Sequence, residues 1–172
     1  MTGFILIAYS TKHGSTREVA ERIAEVIRSG GTDCRARPAR EVGDLVGCSL
    51  VVVGAPIYNG RWLRDARRFL KRNRADLHSV PVAVFALGPR STEPEAWARS
   101  RAQFDKALVR LPWLSPVSVR LFGGADPAGQ RTRWRDVRDW EAIEAWGREI
   151  LQSHTSPQST SPAHAPRQDD GP

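Results

Sequence analysis

The chain has 172 residues, enough for one domain with a sizeable core, and a formal net charge of +7 that comes almost entirely from arginine. Nothing in it approaches the roughly eighteen consecutive apolar residues of a membrane span, and no signal peptide is expected from its N-terminal residues. Cys34 and Cys48 are too few for a disulfide framework and lack the spacing of metal ligands.

Five apolar or alternating runs are predicted to be β-strands. Three of them are short, rich in β-branched residues and apolar on both faces, as in the centre of a parallel sheet. They cover residues 4–9, 49–56 and 80–89. Two weaker runs, 33–39 and 116–122, alternate polar and apolar residues. This alternation is typical of edge strands, where Pro38 is also best tolerated.

Amphipathic helical patterns separate these strands. The first covers residues 15–28, where Ser15 and Glu18 have the spacing of a capping box. Strands that alternate with helices predict an α/β fold with a doubly wound, parallel, five-stranded sheet in a three-layer sandwich. With the weaker strands at the edges, the expected order is 2-1-3-4-5. Ligands then bind at the switch point between strands 1 and 3.

The composition changes near the end of the chain. Residues 1–152 are predicted to form the folded domain, and residues 153–172 are rich in Ser, Pro and Thr without apolar periodicity. Such a segment cannot bury enough surface to fold, so a disordered tail is expected. His154 and His164 lie in it, and no metal site is predicted there or elsewhere.

The loop after strand 1, "STKHGST", joins a strand to the start of a helix. It lacks the Gly-Lys-Ser/Thr of a P-loop, the three glycines of a dinucleotide fingerprint, and the carboxylates of a response regulator. Hydroxyl groups, free backbone N–H groups and the helix dipole suit one phosphate monoester, which Gly14 allows to approach closely. The alternative is an empty loop in which Ser15 only caps the helix.

Four segments together resemble the flavodoxin-like proteins, and among them the group that includes menaquinone-dependent protoporphyrinogen dehydrogenase. The segments are "YSTKHGSTREVAERIA", "VVVGAPIYNGRW", "FALGP" and "DVRDWEAIEAW". In this group the cofactor is FMN. By position, the first loop is expected to hold its phosphate, while the loops after strands 3 and 4 border its ring and Tyr58 stacks on it. The implied cofactor-binding residues are Ser10, Thr11, Lys12, His13, Gly14, Ser15, Thr16, Pro56, Ile57, Tyr58, Asn59, Gly60, Leu87, Gly88 and Pro89.

The resemblance leaves an enzyme and an electron carrier to be distinguished. Carrier flavodoxins are usually acidic and hold the flavin between two aromatic rings, whereas this chain is basic and its third loop has no aromatic residue before Trp97. Arg61, Arg64 and Arg90 are expected to contact a substrate or partner. The further basic residues of the second helix are interpreted as its solvated face; they are Arg67, Arg68, Lys71, Arg72 and Arg74.

The function implied is an FMN-dependent oxidoreductase that oxidises protoporphyrinogen and passes electrons to a quinone. The alternative is an FMN electron-transfer protein that serves a partner enzyme. No general acid or base is predicted, and neither is binding to nucleic acid. The expected location is the cytoplasm, with an anionic membrane surface as a further partner. One departure is the short stretch of residues 125–135, where the family usually has a longer segment.

Overall fold

Strands and helices alternate along the residues that the computed structural model describes, 3–127 and 135–156. The strands are β1 (Phe4–Tyr9), β2 (Cys34–Pro38), β3 (Cys48–Tyr58), β4 (Arg61–Trp62), β5 (Val82–Leu87) and β6 (Ser118–Phe122). The α-helices are α1 (Ser15–Ser29), α2 (Arg64–Arg72), α3 (Pro94–Val109) and α4 (Trp140–Thr155). Short 3-10 helices cover Ala39–Glu41 and Asp76–His78.

The main strands form one parallel sheet in the order β2-β1-β3-β5-β6. This arrangement confirms the predicted order 2-1-3-4-5, because the additional strand β4 pairs only with the end of β3 and is antiparallel to it. The sequence did not predict β4, because a strand of two residues is too short to show the alternation of polar and apolar residues that indicates a strand. Asn59 and Gly60 join β3 to β4 with φ angles of 52° and 67°, the left-handed conformation that suits a tight hairpin turn.

Helices cover both faces of the sheet and complete the predicted three layers. α1 and α4 pack on one face, where the rings of Phe85, Phe122 and Trp146 lie 5.8–6.0 Å apart. α2 and α3 pack on the other, where Phe69 and Phe104 are fully buried. The apolar stripes of the helices and the two-sided apolar strands therefore meet in two separate cores.

Helix α4 ends later than the sequence predicts. It runs through Thr155, three residues beyond the predicted domain boundary at residue 152. A tertiary contact explains the extension, since the His154 Nε2 atom lies 3.3 Å from the Ser49 hydroxyl on β3. The remainder of the predicted tail, 157–172, lies outside the described residues. No helix in the described part is both long and apolar enough to cross a membrane.

Candidate functional site

A cavity of about 500 Å³ lies at the carboxyl ends of β1, β3, β5 and β6. Four loops line this sheet-end cavity, and its size falls in the usual range for a small-molecule site. The lining residues are Lys12, His13, Ser15, Thr16, Pro56, Ile57, Tyr58, Leu87, Gly88, Pro89, Arg90, Gly124, Ala125 and Pro127. The three loops predicted from the sequence thus meet at the predicted switch point.

Some of the predicted cofactor-binding residues do not line this cavity. Gly14, Asn59 and Gly60 shape the loops around it. Ser10 and Thr11 instead line a separate hollow of about 140 Å³. The Thr11 hydroxyl nevertheless supports the loop, because it accepts a hydrogen bond of 2.8 Å from the Gly14 N–H.

Gly14 brings the chain into α1 in the left-handed conformation, with φ 94°. The helix begins at Ser15, and no side chain of the described residues caps it. The capping box predicted from Ser15 and Glu18 is therefore wrong, because Ser15 lies inside the helix, one residue after its N-cap. The first N–H groups of an α-helix have no partner within the helix. Without a capping side chain, those of α1 remain free to bind an anion at the positive end of the helix dipole.

Thr16 is the strongest sign of a ligand at this helix end. The residue is 1% exposed and lines the cavity, and its hydroxyl has no hydrogen-bond partner among the described residues. A buried hydroxyl without a partner costs about 1–3 kcal/mol, so proteins seldom keep one without a reason. A phosphate oxygen at the start of α1 is an acceptor that fits this position. The Ser10 hydroxyl is also buried and unpartnered, but Ser10 lines the smaller hollow.

Tyr58 supplies the only phenyl, phenol or indole ring among the described residues that line the cavity. Its side chain is placed at the end of β3, and the residue is 47% exposed. The Lys12 Nζ atom lies 5.8 Å from the centre of the ring, within reach of a cation–π interaction. A half-exposed ring at the mouth of a cavity offers a surface on which a planar ligand can stack.

The loop after β6 forms a wall that the sequence did not predict. The Gly124 N–H donates to the Pro89 carbonyl at 2.8 Å, and a Cβ at Gly124 would lie 2.8 Å from the Gly88 carbonyl oxygen. Only a glycine permits this approach of the two loops. The pair Gly123–Gly124 directly after a strand was the available signal. The loop after β6 thereby contributes Gly124, Ala125 and Pro127 to the lining of the cavity.

Two arginines hold this wall through one buried carboxylate. Arg90 Nη1 lies 2.9 Å from Asp126 Oδ1, and Arg135 Nε lies 3.1 Å from Asp126 Oδ2. The Arg135 side-chain hydrogen bond, helped by the charge of Arg90, holds the pKa of Asp126 below its ordinary value. Asp126 is therefore an anion at neutral pH, and it fixes Arg90 at the edge of the cavity.

The segment "DVRDW" connects the same loop to α1. The side chain of Arg138 is 5% exposed and makes two hydrogen bonds to Asp136, at 2.6 and 2.8 Å, while its third nitrogen bonds to Glu18. These bonds hold the pKa of Asp136 below its ordinary value. Asp139 then caps α4 by accepting from the Ala142 N–H. Glu18 thus stabilises the first turn of α1 through Arg138 rather than through a capping box.

The three arginines expected to contact a substrate or partner are separated in the structure. Arg90 lines the sheet-end cavity. Arg61 lines a different cavity, and Arg64 begins α2 as an exposed residue in the lining of neither. Arg61 and Arg90 therefore line different cavities, and their contact with a substrate or partner stays a prediction.

Comparison with known proteins assigns this arrangement to a family. A family model described as "Flavodoxin domain" matches residues 6–128. The chain belongs to the flavodoxin-domain family. It is similar to protoporphyrinogen IX dehydrogenase [quinone] of Escherichia coli strain K12, with 23% identity over 88% of the chain and 97% of that protein.

Solved flavodoxins share the fold of this flavodoxin domain. Oxidised flavodoxin 1 from Bacillus cereus superposes with a TM-score of 0.57 and 17% identity, over 86% of this chain and 97% of that one. A short-chain flavodoxin associated with a PDU bacterial microcompartment gives a TM-score of 0.60 and 15% identity, over 90% and 100% of the two chains.

The cofactor of this flavodoxin domain is FMN, and the residues of the sheet-end cavity fit it. The uncapped start of α1 and the unpartnered hydroxyl of Thr16 suit its phosphate. The half-exposed ring of Tyr58 suits its isoalloxazine ring. The backbones of the loops that contain Gly88 and Gly124 lie close together. This wall of the cavity therefore presents carbonyl and N–H groups rather than bulky side chains.

Proposed function

We propose that this flavodoxin-domain protein is an FMN-dependent oxidoreductase that oxidises protoporphyrinogen and passes the electrons to a quinone. The name and near-complete coverage of the Escherichia coli relative support the reaction. The observation that carries it in this chain is the lining of the sheet-end cavity. Tyr58 provides one ring, and the loops after β5 and β6 add no second phenyl, phenol or indole ring within the described residues.

An oxidase differs from a carrier in what must reach its cofactor. A carrier exchanges electrons with another protein at an edge of the flavin, so aromatic residues can cover both ring faces. An oxidase must admit a substrate to a ring face. Gly88, Pro89 and Gly124 are small residues in the cavity wall, and they leave more space for a planar substrate than a second aromatic side chain would.

The cationic side chains of the cavity would orient the substrate. Lys12 and Arg90 both line it, and protoporphyrinogen carries propionate groups that such cations bind. Bound FMN supplies the two-electron redox chemistry. The chain's own residues bind and orient the reactants, and the positive charge of Lys12 and Arg90 favours the acceptance of electrons. The predicted contact with an anionic membrane surface belongs to the same proposal, since it would bring the protein to a membrane-dissolved quinone.

The test is an anaerobic assay of protoporphyrinogen IX with menadione as the quinone. We expect protoporphyrin fluorescence to appear only when FMN-loaded protein and menadione are both present. Arg90→Gln should lower kcat/KM roughly tenfold, the loss of about 1.4 kcal/mol of charge-assisted hydrogen bonding to the substrate. Arg64→Gln, at an exposed position outside the cavity, should leave it unchanged. Absence of quinone-dependent product in the wild-type protein would contradict the proposal.

An FMN electron carrier is the second candidate, because the chain shares its fold with solved flavodoxins and a fold alone does not distinguish a carrier from an enzyme. A carrier should be reduced by a flavodoxin reductase with NADPH and should pass electrons to cytochrome c. It should also be inert toward protoporphyrinogen with menadione. The two assays on one FMN-loaded preparation distinguish the candidates.

A further inference from the structure

A second cavity, of about 510 Å³, lies beside α2 and the end of α3. The residues that line this α2–α3 cavity are Arg61, Trp62, Arg67, Lys71, Arg74, Ala107, Arg110, Leu111 and Trp113. Its described lining residues are all different from those of the sheet-end cavity. The two are nevertheless adjacent along the β3–β4 hairpin, because Trp62 pairs with Ile57, a residue of the sheet-end lining.

The α2–α3 cavity has an unusual concentration of positive charge. Among the described residues that line it, five are cations and none is acidic; the cations are Arg61, Arg67, Lys71, Arg74 and Arg110. The ion pairs within the described residues all involve other arginines. The sequence-based interpretation placed Arg67, Lys71 and Arg74 on a solvated helix face. The structure adds that all three line the same cavity. Like charges that lie together, with no ion-pair partner among residues 3–127 and 135–156, favour an anionic ligand.

The wall of this cavity also contains a donor without an acceptor. Trp62 is 2% exposed, and its indole Nε1–H has no hydrogen-bond partner in the part of the chain that the structure describes. An indole nitrogen can only donate, so the group that satisfies it must be an acceptor such as a carboxylate. Binding of an acceptor would supply the hydrogen bond that this buried N–H lacks.

Aromatic surface accompanies the charge. Trp113 is half-buried in the lining, and the Arg74 guanidinium lies 5.2 Å from the centre of its ring. Arg67 is held by a hydrogen bond of 3.0 Å from its Nε to the Trp62 carbonyl. Guanidinium groups and indole rings both stack on planar ligands, whereas a simple inorganic anion uses only the charge.

We propose that the α2–α3 cavity is a second ligand site, for a planar aromatic molecule that carries two or more carboxylates. Its carboxylates pair with the arginines and accept from the Trp62 N–H, and its ring stacks beside Trp113. The site is separate from the flavin site, and the proposal does not depend on the reaction proposed above.

Isothermal titration calorimetry of the FMN-loaded full chain with naphthalene-2,6-dicarboxylate tests the site. We expect one saturable binding event, which the neutral analogue naphthalene-2,6-dimethanol lacks and which trans-cyclohexane-1,4-dicarboxylate shows only weakly. Arg110→Glu should weaken binding roughly fivefold or more, the loss of one charged contact of about 1 kcal/mol. Trp62→Phe, which keeps a ring and removes the N–H, should weaken it severalfold.

Arg99→Glu is the matched control, because it makes the same charge change at an exposed position on α3 outside the cavity. It should alter the affinity by less than about twofold. Equal weakening by Arg99→Glu and Arg110→Glu would show general charge attraction and overturn the proposal. Binding only to FMN-free protein, with loss on FMN addition, would place the probe in the sheet-end cavity and also overturn it.

Discussion

The two cavities have nearly equal volumes, about 500 and 510 Å³, but they are built from different parts of the chain. The sheet-end cavity is formed by loops at the ends of four strands, and its main features are backbone conformations and short side chains. The α2–α3 cavity is formed by long cationic and aromatic side chains of a hairpin, two helices and the segment that follows α3.

This difference explains what each cavity can recognise. Backbone N–H groups at a helix start have fixed positions, so they select a compact anion such as a phosphate group. Long arginine side chains adapt to the ligand, so they select charge and planarity rather than one shape. Substitutions that alter the backbone should consequently damage the sheet-end cavity most, and side-chain substitutions should act more locally.

The largest effect is expected at Gly14. Its φ of 94° is a conformation that a β-branched residue rarely adopts, and a Cβ there would meet nothing within 4 Å, so the cost is conformational. Gly14→Val should weaken FMN binding roughly tenfold or more, from about 1–3 kcal/mol of backbone strain. Fluorescence titration of FMN measures the Kd. Gly43→Val, at an exposed glycine with ordinary φ and open space, should leave the Kd unchanged.

At Thr16 we expect a smaller effect on FMN binding, combined with a gain in the stability of the FMN-free protein. Thr16→Val keeps the shape and removes the buried, unpartnered hydroxyl. It should weaken FMN binding roughly tenfold, through loss of a hydrogen bond to a charged phosphate, and it should raise the Tm of the FMN-free protein. Ser10→Ala also removes a buried, unpartnered hydroxyl, but outside the cavity, so FMN affinity should change much less. A lower Tm with unchanged affinity for Thr16→Val would mean that the hydroxyl serves the core.

The strands and the place of the first loop at the sheet-end cavity could be predicted because their signals are local. Apolar runs identify the strands, and the hydroxyl-rich loop before α1 indicates an anion site from its own residues. The wall after β6 could not be predicted, because Gly124 meets Gly88 only when two distant loops are brought together. The position of Arg61 also depends on a two-residue strand with no pattern of its own. The extension of α4 depends on the contact between His154 and Ser49, residues far apart in the sequence.

The smallest effect is expected at Asp126, where ion pairs rather than backbone hold the cavity wall. Asp126→Asn weakens the bonds to Arg90 and Arg135, so FMN affinity should fall about two- to fourfold, the range of partly exposed ion pairs. Folding lowers the pKa of Asp126 below the value of about 3.9 that the carboxyl has in the unfolded chain. The ionised carboxylate therefore contributes its full stabilisation at pH values above about 3.9, and this contribution disappears as the pH falls through the lower pKa of the folded state. The Tm difference between wild type and Asp126→Asn should therefore be present at pH 7 and close in acid.

Asp105→Asn is the control for this prediction, because it removes an exposed ion pair with Arg101 on the surface of α3. Its Tm should stay close to that of the wild type. Thermal unfolding followed by circular dichroism between pH 7 and pH 3 compares the three proteins. A Tm difference for Asp126→Asn that persists undiminished in acid would mean that the residue acts through packing rather than charge. The wall after β6 would then be held by packing, as at the contact between Gly88 and Gly124. Arg90 could in that case turn toward a ligand without the loss of a stabilising ion pair with Asp126.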